Sequence, residues 1–245
     1  MSAARAARRR ERLILLHAEP DLIVIDKPAG LLTMPSAPGR GEHEDSVLAR
    51  AREYARHKRG RQAYVGLLHR LDRGTSGALA VALGHEVHAE GRRLFRAHRF
   101  ERTYLALVTG VPQPGEGTID RPITSEYRDG RREVAGTGTE ALPARTHYLV
   151  RERFGTTAAL IELTLETGRQ HQIRIHLASI GHPVLGDRVY GPARESAKRT
   201  DRPLLHAWRL AFPHPLTGQR IAVEARVPAD FAAALRRLRA AAGGH

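Results

Sequence analysis

The sequence predicts an α+β fold built around a largely antiparallel sheet. Short apolar runs typical of strands and longer segments with helical spacing alternate irregularly along its 245 residues. The pattern lacks the regular strand–helix–strand units that indicate a parallel sheet. We find neither an internal repeat nor a linker that would divide the chain. We therefore expect a single domain over residues 13–245, preceded by a basic, disordered arm over residues 1–12.

Each predicted element rests on its local pattern, taken in chain order. Runs of β-branched and apolar residues that end at Gly, Pro or Asp predict strands, and apolar residues three or four positions apart predict helices. The predicted strands cover residues 22–25, 78–83, 104–108, 146–150, 158–165 and a last β segment from 204–210 through 221–227. The predicted helices cover residues 46–58, 85–98, the segment between Gly168 and Gly181, and residues 229–242. Residues 35–45, 125–143 and 192–202 are polar or rich in Gly and Pro, which predicts exposed loops.

The charge balance favours a polyanionic partner. The chain has 40 Lys and Arg residues against 26 Asp and Glu residues, a formal net charge of +14, and such an excess is typical of nucleic-acid-binding proteins. Only Lys27, Lys58 and Lys198 are lysines, and arginine can bind phosphate through two hydrogen bonds and stack on bases. The alternative is an arginine bias of the whole composition, so charge alone does not establish RNA binding.

The sequence has no cysteine, which excludes disulfides and thiolate metal sites and is compatible with a reducing compartment. The apolar run after the basic N-terminus, residues 13–16, is too short for the core of a signal peptide. No stretch approaches the roughly 20 apolar residues that span a bilayer. We expect a cytoplasmic protein without a membrane partner or an obligate protein partner, and a monomer because no long apolar face is left over.

Residues 69–77 concentrate more chemically active side chains than any other stretch. Asp72 lies between Arg70 and Arg73, and a Gly/Thr/Ser cluster follows before the apolar run of residues 78–83. This pattern predicts a loop that leads into a buried strand. Nearby positive charge favours the ionised carboxylate, which could act as a nucleophile or a base. An aspartate in this position can equally be a turn residue that bonds its own backbone.

Three segments, in the order of a known family, favour the chemical interpretation. Residues 69–77 read HRLDRGTSG, close to the HRLDxxTSG signature of the RluA-type RNA pseudouridine synthases, and residues 21–30 and 166–176 resemble that family's first and third motifs. The resemblance implies a mixed sheet bisected by an RNA-binding cleft, and isomerisation of uridine in RNA to pseudouridine without a cofactor. The residues before Leu13 are too few for the S4-like RNA-binding domain of many members, so we expect a stand-alone catalytic domain.

The resemblance also implies roles for particular residues. Asp72 would be the essential catalytic group, acting on a nucleotide that is flipped out of its stack. Arg174 would pair with Asp72, and Tyr104 would pack on the target base. Arg70 would help to fill the gap that the flipped nucleotide leaves. Further RNA contacts are expected from His69, Arg73, Arg169 and Lys27.

Plainer interpretations and other functions remain open. A tyrosine in an apolar strand is usually a core residue, and a helical arginine is usually solvated. The chain could be a non-catalytic RNA-binding or assembly factor of the same fold, or a basic hydrolase acting on RNA. A hydrolase would need a histidine pair or metal-binding carboxylates. His171 and His176 are five residues apart, which does not place both on one helix face, so we expect no metal site. The expected substrate is ribosomal or transfer RNA.

Overall fold

The structure of the protein, a computed structural model, describes residues 13–35, 44–126, 131–136, 138, 140–191 and 200–243. The predicted basic arm over residues 1–12 lies outside the described residues. So do most of the predicted loops over residues 35–45 and 192–202. These three expectations therefore stay predictions.

Twelve strands and four helices make up the described part of the chain. The strands are β1 Ile14–Ala18, β2 Leu22–Lys27, β3 Gly66–Leu67, β4 Ser76–Ala82, β5 Glu101–Thr109, β6 Glu116–Asp120, β7 Ile123–Thr124, β8 Ala141–Leu142, β9 Arg145–Phe154, β10 Ala158–Leu165, β11 Leu205–Pro213 and β12 Arg220–Glu224. The helices are α1 Val47–Arg59, α2 His85–Arg96, α3 Gln172–Ser179 and α4 Ala229–Ala242.

One ten-stranded sheet organises the molecule. Its order is β1-β2-β4-β11-β5-β10-β9-β6, with β3 beside β4 and β12 beside β11. Every pairing is antiparallel except that of β4 with β11. The prediction of an α+β fold with a largely antiparallel sheet is therefore confirmed. β7 and β8 form a separate two-stranded sheet at the ends of the predicted loop over residues 125–143.

Local patterns missed or merged some strands. Residues 13–16 suggested only a short apolar run, yet β1 forms because Ile14 to Ala18 pair with β2. The last β segment is two antiparallel strands, β11 and β12, joined by a turn after Pro213. Strand formation in both places depends on antiparallel pairing with the next strand along the chain, which the apolar pattern of one segment alone does not show.

The helices cover both faces of the sheet, α1 and α3 on one face and α2 and α4 on the other. Side chains alternate accordingly along β2, where Ile23 and Ile25 pack beneath α1 and their neighbours pack beneath α2. On β5 the same alternation places Tyr104 on the face of α1 and α3. The candidate functional residues therefore collect on that face.

The pairing of β4 with β11 joins the two halves of the sheet. It is short, with His206 opposite Ser76 and Ala207 opposite Gly77. Gly77 has φ +117°, and a Cβ atom there would overlap the carbonyl oxygen of Ala207, so only glycine lets the strands approach this closely. Ser76 Oγ and His206 Nδ1 add a buried hydrogen bond of 2.9 Å. The loop that carries Asp72 leads directly into this junction.

Candidate active site

A cleft of about 320 Å³ opens on the face of α1 and α3. Its wall includes the loop over residues 69–75, the start of β5 and residues 168–174, together with Arg92 and Phe95 of α2. Asp72, Tyr104 and Arg174 all contribute to its wall. The sequence predicted these three as a catalytic set, and the fold brings them together from positions up to 102 residues apart.

The Asp72 loop is held by the segment that precedes α1. Thr33 Oγ1 donates to the carbonyl of Leu71 at 2.6 Å and accepts from the Leu71 amide at 3.2 Å. The amide of Gly30 donates to the carbonyl of Arg73 at 2.8 Å. Residues 30–33, at and just after the end of the first motif-like segment, therefore fix the backbone on both sides of Asp72.

Lys27 belongs to this support, and the expectation that it contacts RNA is corrected by its burial. Its side chain is 0% exposed. Its Nζ donates to the carbonyls of Pro28 at 3.0 Å, Leu31 at 2.8 Å and Arg73 at 3.3 Å. The ammonium thus ties the loop after β2 to the Asp72 loop and has no exposed surface to offer to a phosphate.

Burial lowers the pKa of Lys27 to about 7, although the charge of Asp72 acts in the opposite direction. An unfolded lysine titrates near 10.5, so between the two values the unfolded state binds more protons. The free energy of unfolding should therefore rise with pH across this window. We expect the difference in unfolding free energy between wild type and Lys27→Met, measured by urea denaturation, to grow from neutral pH to pH 10.5. Lys58→Met, at an exposed position of α1, is the control, and its difference from wild type should not change over this pH range. A difference between wild type and Lys27→Met that is also independent of pH would contradict the prediction.

Arg174 lies 3.5 Å from Asp72, measured from Nη1 to Oδ2. Its strongest contacts are to Asp187, which accepts from Nε at 2.6 Å and from Nη2 at 2.8 Å. Burial lowers the pKa of Arg174, but the hydrogen bonds and charge of Asp187 and the charge of Asp72 outweigh it, so the net pKa is raised. The guanidinium stays charged, with Nε and Nη2 bound to Asp187 and Nη1 towards Asp72.

Sequence reasoning missed Asp187. Its side chain is 0% exposed, and besides Arg174 it accepts hydrogen bonds from the amides of Val189 at 3.0 Å and Tyr190 at 3.1 Å. The sequence signal is only an aspartate beside glycine in a turn-rich segment. That signal describes the turn bonds correctly but contains nothing about the arginine that the same carboxylate binds.

His171 is a second residue that the sequence did not place in the site. Its Nε2 lies 3.8 Å from Asp72 Oδ2, and its Nδ1 shares a hydrogen bond of 3.0 Å with the hydroxyl of Tyr190. The Tyr190 ring also lies beneath the guanidinium of Arg174, 5.0 Å from Cζ to the ring centroid. Asp72 therefore faces two nitrogen-bearing side chains, that of His171 just before α3 and that of Arg174 within α3.

Tyr104 and Arg102 come from alternate positions of β5 and form the floor of the cleft. Tyr104 is 7% exposed and also belongs to the core cluster, so the core interpretation and the cleft interpretation both hold. Burial raises its pKa. Arg102 Nη2 donates to the carbonyls of Leu165 and Thr167 at 3.3 and 3.2 Å, which anchors the end of β10 beside the cleft.

The other expected RNA contacts lie in different surroundings. His69 is buried, and its Nε2 accepts from the Ala80 amide at 3.1 Å; burial, the largest cause, lowers its pKa to about 3. The expectation of an RNA contact through His69 is corrected to a supporting role, since its acceptor nitrogen is already bonded. Arg70 is exposed and Arg169 half-buried at the cleft, whereas exposed Arg73 lies outside the cleft wall.

Among the described residues, Glu19, Asp21 and His214 are close enough to hold a metal ion. His214 Nδ1 accepts from the amides of Leu216 at 3.3 Å and Thr217 at 3.2 Å. In a neutral ring the proton is therefore on Nε2, which faces the two carboxylates at 3.3 and 3.4 Å. Metal binding needs a free lone pair on that nitrogen. The contacts therefore favour hydrogen bonds from His214 Nε2 to the two carboxylates over a bound metal ion. None of the three residues lines the cleft.

No helix within the described ranges combines the length and the apolar character that crossing a membrane requires.

Comparisons with known proteins agree with this geometry. The family model for RNA pseudouridylate synthases matches residues 21–179. The chain is 38% identical to the dual-specificity RNA pseudouridine synthase RluA of Escherichia coli K12, over 89% of this chain and 94% of that protein. It is 39% identical to ribosomal large subunit pseudouridine synthase D of Nitrosomonas europaea, over 93% of this chain and 65% of that protein.

A comparison with solved structures gives a similar result. The solved structure of human RNA pseudouridylate synthase domain containing 4 superposes with a TM-score of 0.76 at 26% identity, covering 92% of this chain and 93% of that one. The residues that the family model matches include the Asp72 loop, β5 and α3, all of which contribute to the cleft. The chain therefore belongs to the RNA pseudouridine synthase family and is an enzyme that isomerises uridine in RNA to pseudouridine.

Proposed function

We propose that this enzyme modifies uridine in ribosomal or transfer RNA and that Asp72 is its catalytic carboxylate. The names of the two bacterial relatives support the first part, since one refers to the large ribosomal subunit and the other to dual specificity. The observation that carries the second part is the position of Asp72, partly exposed in the cleft with its Oδ2 3.5 Å from a buried, charged guanidinium.

The reaction itself defines what the cleft must supply. The bond from C1′ of the ribose to N1 of uracil breaks, the base turns, and a bond from C1′ to C5 forms. Asp72 is the carboxylate placed to act on the target nucleotide, and the guanidinium of Arg174, 3.5 Å away, orients it. Because a stacked base is out of reach, the nucleotide has to be flipped into the cleft.

Two further residues suit the flipped nucleotide. The ring of Tyr104 lines the cleft, where an aromatic face can stack on a base of any identity. Arg70 is exposed two residues before Asp72, so its guanidinium can fill the space that the base vacates. We assign the base-packing role to Tyr104 and the gap-filling role to Arg70.

A non-catalytic RNA-binding factor of the same fold is the second candidate. Phosphate binding needs exposed cations, and a buried arginine bound to a fully buried Asp187 supplies none. Directing such a guanidinium at a partly exposed carboxylate serves chemistry at that carboxylate. The Asp187–Arg174–Asp72 arrangement therefore favours the enzyme.

Mapping of pseudouridine at single-base resolution tests the proposal. RNA from cells with and without the gene would be compared, and the deletion strain would be complemented with wild type or with Asp72→Asn. We expect sites in ribosomal or transfer RNA to disappear on deletion and to return with the wild-type gene alone. Unchanged maps would refute the proposed substrate class, and sites restored by Asp72→Asn would refute the role of Asp72.

Salt dependence provides a prediction for binding. If exposed arginines neutralise phosphates, the logarithm of the association constant should fall linearly with the logarithm of salt concentration, with a slope of about −0.7 for each phosphate on a single strand. Arg70→Ala should make this slope shallower. Arg236→Ala, an exposed arginine of α4 on the opposite face of the sheet, should leave it unchanged. A flat response of the wild type would show that the positive charge is compositional.

A further inference from the structure

The isomerisation requires two proton transfers in addition to the action of Asp72 on the nucleotide. When C5 has bonded to C1′, the ring still carries the C5 proton, and N1, which has lost its bond to the sugar, carries none. The product has lost the first and gained the second, so the reaction is balanced by one proton leaving C5 and one reaching N1. A guanidinium cannot accept a proton, and the proposed function engages Asp72 with the nucleotide.

His171 is placed to carry these protons. Its side chain is 19% exposed and lines the cleft, with Nε2 3.8 Å from Asp72 Oδ2. The other ring nitrogen, Nδ1, shares a hydrogen bond of 3.0 Å with the Tyr190 hydroxyl. A hydroxyl can accept from Nδ1–H or donate to Nδ1. Tyr190 can therefore stay bonded in both tautomers, the one with a free lone pair on Nε2 and the one with a proton there.

The backbone at His171 provides a separate observation. Its φ is +57°, a left-handed conformation that is uncommon outside glycine and asparagine. It occupies the position before the first turn of α3, where its side chain makes no capping hydrogen bond. Sparsely populated conformations of this kind persist where the surroundings impose them and are frequent at active sites. Here the conformation turns an imidazole into the cleft.

The charges around His171 suit a proton carrier. Asp72, Arg174, Asp187 and Arg70 all act on it electrostatically. Burial is the largest influence and, with the two arginines, lowers the pKa of His171 despite the two carboxylates. The resting imidazole is therefore neutral near neutral pH and able to accept a proton. The imidazolium that then forms lies beside the Asp72 carboxylate, which favours it.

We propose that His171 is the proton carrier of the reaction, and this rests on the proposed roles of the cleft residues. Nε2 accepts the proton that C5 loses once the C1′–C5 bond has formed, and the imidazolium supplies the proton that N1 gains. The nucleotide is then neutral pseudouridine within the RNA, and Nε2 has regained its lone pair. Tyr190 is a positioning residue that keeps the ring facing the cleft.

The test compares two substrates in single-turnover reactions of His171→Asn. Asparagine tolerates the left-handed backbone but cannot carry a proton. On an RNA stem-loop that wild type converts, pseudouridine formation should fall about 100-fold or more, the usual contribution of a general base. With 5-fluorouridine at the target position C5 has no proton to lose, so its consumption should continue at the wild-type rate. A primary isotope effect with 5-deuterated uridine should appear in the variant.

Controls separate this role from a structural one. Among the described residues, His98 is a second histidine with positive φ; it is exposed and outside the cleft, so His98→Asn should affect neither substrate. Tyr190→Phe leaves His171 itself unchanged and should give the same pattern more weakly, a slower reaction of uridine with an unchanged reaction of 5-fluorouridine. This second variant tests the proposal even if His171→Asn does not fold. Equal loss with uridine and 5-fluorouridine would overturn the proposal. A wild type that converts no RNA would instead refute the proposed function.

Discussion

Asp72→Asn is expected to abolish pseudouridine formation, by about four orders of magnitude or more, as for the loss of a central catalytic group in other enzymes. The amide keeps the volume of the side chain but neither its charge nor its ability to attack or to accept a proton. The fold should survive, because Asp187 still pairs with the buried guanidinium of Arg174. Single-turnover pseudouridine formation, RNA affinity and melting temperature would be measured together, and only the first should change.

The matched control for this substitution is Asp201→Asn. Asp201 is fully exposed and pairs with Arg188 at 3.4 Å on the surface. Asp201→Asn makes the same chemical change outside the cleft, so activity should be retained. Turnover of Asp72→Asn near the wild-type rate would remove Asp72 from the mechanism.

Arg174→Met is expected to have the second-largest effect, and on two quantities. The rate should fall far more than RNA affinity, because Asp72 loses the cation that orients it. The melting temperature should fall as well, since Asp187 is left as an unpaired, fully buried carboxylate, and breaking a buried pair from one side costs about 3–5 kcal/mol. Arg174→Lys should restore part of both, because an ammonium keeps the charge without the planar fork that binds Asp187 twice.

Arg209→Met separates these effects from the loss of an arginine as such. Arg209 pairs with Glu224 at 2.9 Å on the exposed surface, where an ion pair contributes little to stability. Its loss should leave rate and melting temperature almost unchanged. A large loss of RNA affinity at unchanged turnover in Arg174→Met would instead assign Arg174 to phosphate binding.

The sequence predicted those parts of the fold in which a local pattern and the final environment coincide. The apolar run after Ser76 is a strand buried on both faces, and such runs are recognisable without their neighbours. β1 was missed because Ile14 is exposed and the strand depends on its pairing with β2. In the site, too, local patterns were informative only for some residues. The motifs singled out Asp72, Tyr104 and Arg174, and these three residues line one cleft, while their catalytic roles stay predictions.

What the sequence could not provide was the environment of charged side chains. Lys27 was expected to contact RNA, whereas three backbone carbonyls accept hydrogen bonds from it inside the protein; such full burial of a lysine is rare. Asp187 accepts hydrogen bonds from two amides of its own turn, which its position beside a glycine would suggest. Its second function depends on α3 packing against that turn. Both cases require knowledge of contacts between segments that are not adjacent in sequence.

The position of β11 between β4 and β5 has a consequence for the order in which the enzyme can be made. Translation delivers β4 and β5 about a hundred residues before the strand that must lie between them, so the centre of the sheet cannot close until residues 205–213 have emerged. Pairings between segments far apart in sequence form slowly, because closing a long chain segment costs entropy before the contact stabilises it. Until then Asp72 and Arg174 belong to two separate pieces of sheet. A nascent chain that lacks β11 therefore has both charged groups but no assembled cleft, and catalytic competence is acquired only after β11 has been made.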